Sequence, residues 1–495
     1  MNLKFFNSFN KVPWFSLGLA VIFFLAAALR FWGLTRFNAL IFDEIYYAKF
    51  GVNYLDQVPF FDAHPPLGKY IIAFAIWLSK PFVNQQANGY TGMVLSPFNY
   101  RWLNALIGSL LPLVVAGIAY QLSHRQSYAL IAAFFVVADG LLLVESRYAL
   151  INIYLVFFGF LAHWLFLLAL SRRECQRGVL LAASGLCLGA SAAVKWNGLG
   201  FLLGIYLLWM SARGLYLLRR LISGREKNQN LKKPGFIAPL ENLTQLNLLH
   251  VLFYFAVIPA LTYSLIWIPH LQINTDYGFL EVHEKIFNFH KEMKNGAEVH
   301  PYCSAWYTWP LTLRPMVYLF EKARNTLEPV PTYPPLPEGV GKVIYDVHAM
   351  GNPALWWFSS GAIALLLLVL CERFIVAIAA AITSASRQLI RFPISVQTWL
   401  IFYLVVNYAA NWLPWIKVTR CTFIYLYMSA SIFSFLALAW LVERWLNSYH
   451  PFHYAIAITI IFLISLSFVF FLPVYLGLPL SQHEFNIRMW LRSWI

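Results

Sequence analysis

Long apolar runs, each close to the ~20 residues that cross a bilayer as a helix, recur around 14–33, 102–121, 128–144, 149–170, 178–194, 198–217, 248–268, 354–383, 397–413, 421–442 and 452–475. They predict about eleven transmembrane helices and an all-α polytopic membrane protein. The first run, from Trp14 to Trp32, follows Lys4 and Lys11, is longer than the apolar core of a signal peptide and lacks a small-residue cleavage site. It predicts a retained first span. No heptad, solenoid period or low-complexity tract is visible, and the one flexible-looking stretch, Ser223–Pro234, reads as a basic connector.

The loops sort by charge. Loop 171–177 carries Arg172, Arg173 and Arg177, loop 211–246 carries seven Lys/Arg against two Glu, and loop 384–396 carries Arg387 and Arg391, which predicts the cytoplasmic side for all three. By alternation the acid-containing loops 34–101 and 269–353 fall outside, and an odd span count puts 476–495 outside with them. The expected division is an N-terminal membrane half, 1–268, a large outer loop, 269–353, and a C-terminal membrane region, 354–495.

Composition agrees with this picture. The chain is 60% hydrophobic and only 12% charged, against ~25% charged in soluble domains, so a water-soluble globule is excluded. Lys and Arg outnumber Asp and Glu by 36 to 21, but the excess is scattered in short clusters between apolar runs, which argues against a nucleic-acid partner. Cys175, Cys187, Cys303, Cys371 and Cys421 are odd in number and far apart, and predict neither a disulfide framework nor metal-ligand spacing. Gly-rich phosphate loops, Walker elements and a nucleophile elbow are missing, which removes support for ATP-driven transport and for serine hydrolysis.

The candidate chemistry sits at span ends. Asp43 and Glu44, just beyond the first span, are adjacent carboxylates near a low-dielectric boundary, where a raised pKa suits base chemistry; a helix cap at Asp43 is the plainer alternative. Asp62-Ala63-His64-Pro65-Pro66-Leu67-Gly68-Lys69 offers a rigid segment ending in an ammonium, with snorkelling as the alternative for Lys69. Glu145-Ser146-Arg147-Tyr148 fills a short outer turn in which Arg147 suits a phosphate or pairs locally with Glu145. Lys195-Trp196-Asn197, and Lys417 with Arg420, mark further outer ends where a charge between spans is a functional suspect. Together Lys69, Arg147, Lys195 and Arg420 form a cation set on the same face as the carboxylates, as a lipid-phosphate substrate and a general base require. The segment His300-Pro301-Tyr302 to Trp306 and Trp309 is aromatic enough to stack on sugar or acyl chains, or to anchor at the interface. His283, His290 and His300 have no regular ligand spacing, so no metal is expected there.

With these motifs in order, the chain resembles the protein O-mannosyltransferases, dolichyl- or polyprenyl-phosphate-mannose dependent members of the GT-C glycosyltransferases. The resemblance rests on Phe42-Asp43-Glu44 with Tyr46-Tyr47, His64 to Lys69, Glu145 to Tyr148, Lys195-Trp196-Asn197-Gly198, His300-Pro301-Tyr302 with Ser304, Trp306 and Trp309-Pro310, Gly351-Asn352-Pro353 with Trp356-Trp357, and Met489-Trp490-Leu491 with Ser493-Trp494. It implies the GT-C fold with extracytoplasmic loops forming the active site, and inverting transfer of mannose from a polyprenyl-phosphate-mannose donor to protein Ser or Thr hydroxyls. Asp43 would be the base and Glu44 would help hold the acceptor. Arg147 and Lys69 would be the first candidates for the carrier phosphate or for supporting the carboxylates, Lys195 and Arg420 the next, while Asp62, His64, His300, Tyr302, Trp306 and Trp309 would shape the site. Some GT-C relatives use a divalent ion that Asp43 and Glu44 could share, but too few other ligands accompany them, and no cofactor is expected. The resemblance leaves a dimer open.

Two departures from the family pattern stand out. Asn152 replaces an expected acid five positions after Arg147, which would leave Arg147 freer. Loop 269–353 is too short for the β-trefoil repeat domain of the eukaryotic enzymes, which points to a bacterial type in a plasma membrane, with its site on the extracytoplasmic face. Two rivals remain: a GT-C transferase with a lipid or glycan acceptor, like the aminoarabinose transferases of lipid A, and a flippase or secondary transporter, whose polar groups would lie at mid-membrane rather than at span ends.

Overall fold

A computed structural model of the 495-residue chain describes residues 13–89, 91–172, 174–222, 239–331, 336–337, 339–383 and 395–495. The predicted connector Ser223–Pro234, Arg173, and the loop arginines Arg387 and Arg391 lie outside the described residues. Helices run in the order α1 (Trp14–Phe31), α2 (Glu44–Leu55), α3 (Leu67–Ser79), α4 (Pro97–Ser123), α5 (Gln126–Val137), α6 (Gly140–Arg147), α7 (Asn152–Leu170), α8 (Glu174–Val194) and α9 (Leu199–Ile222). They continue through α10 (Leu248–Leu252), α11 (Ile258–Ile273) and α12 (Phe279–Glu292) to the strands β1 (Met316–Ala323) and β2 (Val343–Ala349). The chain ends with α13 (Pro353–Thr383), α14 (Val396–Trp412), α15 (Met428–Leu446), α16 (Pro451–Leu476), β3 (Pro479–Leu480) and α17 (Gln482–Asn486).

Among the described residues nine helices are long and apolar enough to cross a membrane, and a tenth span is reached if α5 and α6, bent by 61° at their junction, count as one. The run predicted at 397–413 is α14, a 17-residue helix below that length. Length and apolarity therefore account for nine or ten spans rather than the expected eleven, because the α5–α6 run breaks and α14 is short. The break has a local cause: Asp139 Oδ1 accepts from the Leu142 backbone N–H at 2.8 Å and so starts a new helix, while its Oδ2 accepts from the Trp356 indole at 2.6 Å. Gly140 is needed there, since a Cβ would meet the Tyr475 ring at 2.1 Å.

The span containing α15 is the most enclosed, packed between α5, α13, α14 and α16. Its run of Ser429, Ala430, Ser431, Ser434, Ala437 and Ala439 keeps it thin enough for neighbours to close around it. The spans α1 and α16 expose Phe24, Phe452 and Phe462 outward, as hydrocarbon-facing helices do.

The loop 269–353 contributes α12 and an antiparallel β1–β2 hairpin, and β3 from the C-terminal segment pairs with β2 to complete a three-stranded sheet of order β1-β2-β3. Loop 34–101 reaches the same sheet through Phe37, whose ring lies 6.1 Å from that of Tyr345. The first loop, the large loop and the C-terminal segment thus converge on one end of the helix bundle.

Candidate active site

The site is built around the turn Ile41–Glu44. Phe42 takes a left-handed backbone, φ 51°, which costs a residue with a Cβ of order 1 kcal/mol or more. Two contacts hold it there: the Phe42 ring stacks on Tyr318 with centroids 4.3 Å apart, and the Ile41 N–H donates to Glu44 Oε2 at 2.8 Å. Tyr318 reaches Phe42 because β1 bulges between Val317 and Leu319, turning that side chain out of the ladder.

Asp43 stands at the N-terminus of α2, but its carboxylate makes no capping bond, and among the described residues it has no ion-pair partner. Burial raises its pKa above the usual carboxylate range; the Lys195 ammonium opposes that rise and Asp62 adds to it. The capping alternative is thereby displaced, and the Asp43 carboxylate feels the Lys195 ammonium without an ion-pair contact among the described residues.

Glu44 does not share this setting, which corrects the expectation that it helps hold an acceptor. It is fully buried, and its Oε1 and Oε2 accept from Arg101 Nε and Nη2 at 2.8 and 2.7 Å. Its Oε1 also accepts from the Ala149 N–H at 2.8 Å, so no lone pair faces the site freely. Arg101 completes its donors on the carbonyls of Leu34, Phe37 and Ala39. The pair ties the first loop to α4 and to the α6–α7 turn. The sequence reading lacks Arg101, which stands one residue before the span predicted at 102–121, although a charge beside an apolar run is itself a signal.

Two of the four predicted cations are also committed elsewhere. Lys69 donates to Asp62 and to the His64 carbonyl and is 1% exposed, so it fastens the Asp62–Pro66 segment and has no free face for a phosphate. Arg147 Nη1 donates to the carbonyls of Leu29, Arg30 and Trp32 at 2.7, 3.0 and 2.8 Å, capping the C-terminal end of α1. It pairs neither with Glu145 nor with a free anion, and the substitution at Asn152 has not released it.

Lys195 and Arg420 are differently placed. Lys195, at the break between α8 and α9, donates to Asn152 Oδ1 at 3.4 Å and lies 4.9 Å over the Tyr425 ring. Arg420 Nη1 donates to the Cys421 carbonyl at 3.0 Å. Among the described residues neither has a carboxylate in ion-pair contact. Burial and then Arg420 lower the Lys195 pKa, while Asp43, Glu145 and Asp62 hold it up. Glu145 accepts from Tyr318 Oη and, at 3.2 Å, from Asn152 Nδ2.

His64 stacks on His290, centroids 5.5 Å apart, and His290 Nε2 is 3.0 Å from the Ala63 carbonyl. Burial, reinforced by Arg420, lowers the His290 pKa to about 4, and burial with Lys195 and Lys69 lowers that of His64. Both rings are therefore neutral walls.

His300 accepts from the Tyr302 N–H at 3.2 Å and packs 5.0 Å from Phe423; Tyr302 lies under Arg314 at 5.3 Å. Trp306 and Trp309 pack against Trp412 and Trp415 at 4.9 and 5.6 Å, building the wall between the large loop and the end of α14. Cys303 and Cys421 are disulfide-bonded, which corrects the expectation of no disulfide. Their sequence separation of 118 gave no pattern to read. Around the bridge Ser304 N–H donates to the Thr422 carbonyl at 2.8 Å and Cys421 N–H to the Lys294 carbonyl at 3.0 Å, so Arg420 is stitched to the loop.

The donor set does not fit a divalent ion. Glu44 is consumed by Arg101, Asp62 by Lys69 and Glu145 by Tyr318 and Asn152, and among the described residues no group of three His, Cys, Asp or Glu side chains is placed to hold a metal.

Similarity to known proteins extends over nearly the whole chain. The family model described as dolichyl-phosphate-mannose-protein mannosyltransferase matches residues 20–274, and that of the C-terminal four-span region of protein-O-mannosyltransferase matches residues 276–494. A polyprenol-phosphate-mannose–protein mannosyltransferase of Mycolicibacterium smegmatis is 24% identical over 96% of this chain and 92% of its own length. The solved Saccharomyces cerevisiae Pmt1-Pmt2 protein O-mannosyltransferase complex, bound to the sugar donor, matches with a TM-score of 0.74 at 14% identity, covering 98% of this chain and 93% of its counterpart. ArnT of Cupriavidus metallidurans bound to undecaprenyl phosphate follows at a TM-score of 0.51 and 12% identity, over 93% of this chain and 64% of that one. With the two family models lying end to end over the elements that carry Asp43, Lys195 and Arg420, the chain belongs to the dolichyl-phosphate-mannose-protein mannosyltransferase family and is a multi-pass membrane glycosyltransferase of the GT-C fold.

Proposed function

We propose that this enzyme transfers mannose from a polyprenyl-phosphate-mannose donor to Ser or Thr hydroxyls of proteins, in one inverting displacement with Asp43 as general base. The observation that carries this reading is the Asp43 carboxylate, without a capping bond or an ion-pair partner among the described residues, in the field of the Lys195 ammonium, which itself stands near Arg420; neither cation has a carboxylate in ion-pair contact among those residues. The hydroxyl oxygen bonds to the anomeric carbon, its proton goes to Asp43, and the anomeric carbon–oxygen bond to the phosphate breaks with the electron pair leaving on the phosphate. Lys195 and Arg420 receive the negative charge that develops there. A raised carboxylate pKa favours proton acceptance near neutral pH.

The reaction is placed on the outer face of a plasma membrane. Support comes from Arg172 and Arg177 at the α7–α8 junction, the opposite end of α8 from Lys195, and from the Cys303–Cys421 disulfide beside Arg420, since disulfides persist in oxidising compartments.

The test is a transfer assay in detergent with radiolabelled mannosyl-phosphopolyprenol, offered a Ser/Thr-rich peptide or a lipid-linked glycan. Label in the peptide that disappears in Asp43→Asn, with the variant's melting temperature unchanged, is the expected result. Label in the glycan alone would move the enzyme to lipid or glycan acceptors, and full turnover by Asp43→Asn would remove the base assignment.

A further inference from the structure

We infer that Glu145 is a positioning residue that keeps Lys195 charged yet uncommitted, acting through the Asn152 amide, so that the ammonium is reserved for the leaving phosphate. This rests on the reading of Lys195 as a phosphate cation. The geometry is a chain of three: Lys195 Nζ donates to Asn152 Oδ1 at 3.4 Å, Asn152 Nδ2 donates to Glu145 Oε2 at 3.2 Å, and Glu145 Oε1 accepts from Tyr318 Oη. Lys195 is 7% exposed and Glu145 fully buried. A buried ammonium normally takes a carboxylate directly, and an anionic ligand would then have to break that pair at a cost of several kcal/mol. Here the negative charge stands one amide away. It is close enough to favour the ammonium form, and the ammonium also lies 4.9 Å over the Tyr425 ring.

The other charges facing Lys195 do not replace this arrangement. Arg420, from the segment before α15, repels it. Asp62, before α3, is neutralised by Lys69. Asp43, before α2, is itself protonated as the proposed reaction proceeds, so its support is lost when the phosphate's charge develops. Glu145 is not the proposed proton acceptor, and its bonds from Tyr318 and Asn152 hold it in place one amide away from the ammonium. Tyr318 also stacks on Phe42, next to Asp43, so one side chain from β1 holds Glu145 and the turn that carries Asp43.

The experiment compares Glu145→Gln, Asn152→Asp, their double variant and Lys195→Gln in the full-length enzyme in detergent, with mannosyl-phosphopolyprenol as the varied substrate. Lys195→Gln should raise donor KM; if it does not, the phosphate reading fails and this inference with it. In Glu145→Gln, Lys195 loses its charged support and Asp43 is relieved of a neighbouring negative charge. Both limbs of the kcat/KM profile should move to lower pH, and donor KM at neutral pH should rise about tenfold. Asn152→Asp, almost unchanged in size, places a carboxylate directly on Lys195; donor KM should rise while the basic limb moves to higher pH. The double variant, with the net charge preserved, should recover the basic limb but not donor KM, since the spacing is lost. A raised donor KM in Lys195→Gln with neither limb moved in Glu145→Gln would overturn the inference while leaving the phosphate reading intact, as would a double variant with wild-type donor KM. A merely structural loss would lower the melting temperature without moving either limb.

Discussion

Arg101 and Glu44 are both fully buried and bond bidentately, and the remaining Arg101 donors hold three backbone carbonyls of the first loop. Removing one partner strands the other charge, so Arg101→Ala should destabilise the protein by about 3–5 kcal/mol, read as a lower melting temperature in detergent with little folded enzyme recovered. Asp43 has no such ties, and Asp43→Asn should keep the melting temperature while abolishing transfer. Because burial raises the Asp43 pKa, the acid limb of kcat/KM should fall at a midpoint above the ~3.9 of an ordinary aspartate: the base is fully active above that midpoint and lost as pH drops through it. Lys195→Gln should push the midpoint higher still, because the charge favouring the carboxylate is gone; an unchanged midpoint would mean that another group titrates. At this scale the sequence disclosed which residues carry charge near the membrane surface but not which charges are spent. Asp43 and Glu44 are neighbours in the chain, and only Arg101, 57 positions from Glu44, separates their roles. Arg147 looked like a phosphate ligand for the same reason: the α1 carbonyls that occupy it are more than 110 positions away.

The elements around the site owe their placement to a few local devices. Asp139 starts α6 afresh, and the bulge in β1 turns Tyr318 onto Phe42 and Glu145. The Cys303–Cys421 bridge fastens the large loop to the segment carrying Arg420. Replacing both cysteines with serine should cost about 2–5 kcal/mol of stability and raise donor KM more than acceptor KM, since Arg420 lies next to the released Cys421. Unchanged donor KM in the folded double variant would mean that the backbone bonds of Ser304 and Thr422 suffice to place Arg420. The helices around these devices were legible from apolar runs of spanning length, α14 among them within the four-span C-terminal region, and the α5–α6 break is where a run alone hid a bend. The hairpin was not legible, because Met316–Ala323 is a short strand in an aromatic-rich loop and its partner lies beyond a Pro-rich connection.

For the molecule as a whole, orientation is the consequence most easily measured. Helix α8 carries exposed Cys175 at its first turn and leads into Lys195 at its far end, about 30 Å away at 1.5 Å per residue. With Cys187 and Cys371 replaced, a membrane-impermeant maleimide added to right-side-out vesicles should leave Cys175 unlabelled until the vesicles are permeabilised, and should label Cys303 and Cys421 only after reduction. Labelling of Cys175 from outside would invert the proposed topology. The positions of the spans and the alternation of basic and acidic loops follow from local composition, because a bilayer demands about twenty apolar residues wherever a helix crosses it. The allocation of charges among the family motifs follows from packing: in a low-dielectric interior every ionised group must find a partner or be held for a ligand, and the partners of Glu44, Arg147 and Lys195 come from segments that meet only when the bundle and its outer loops close.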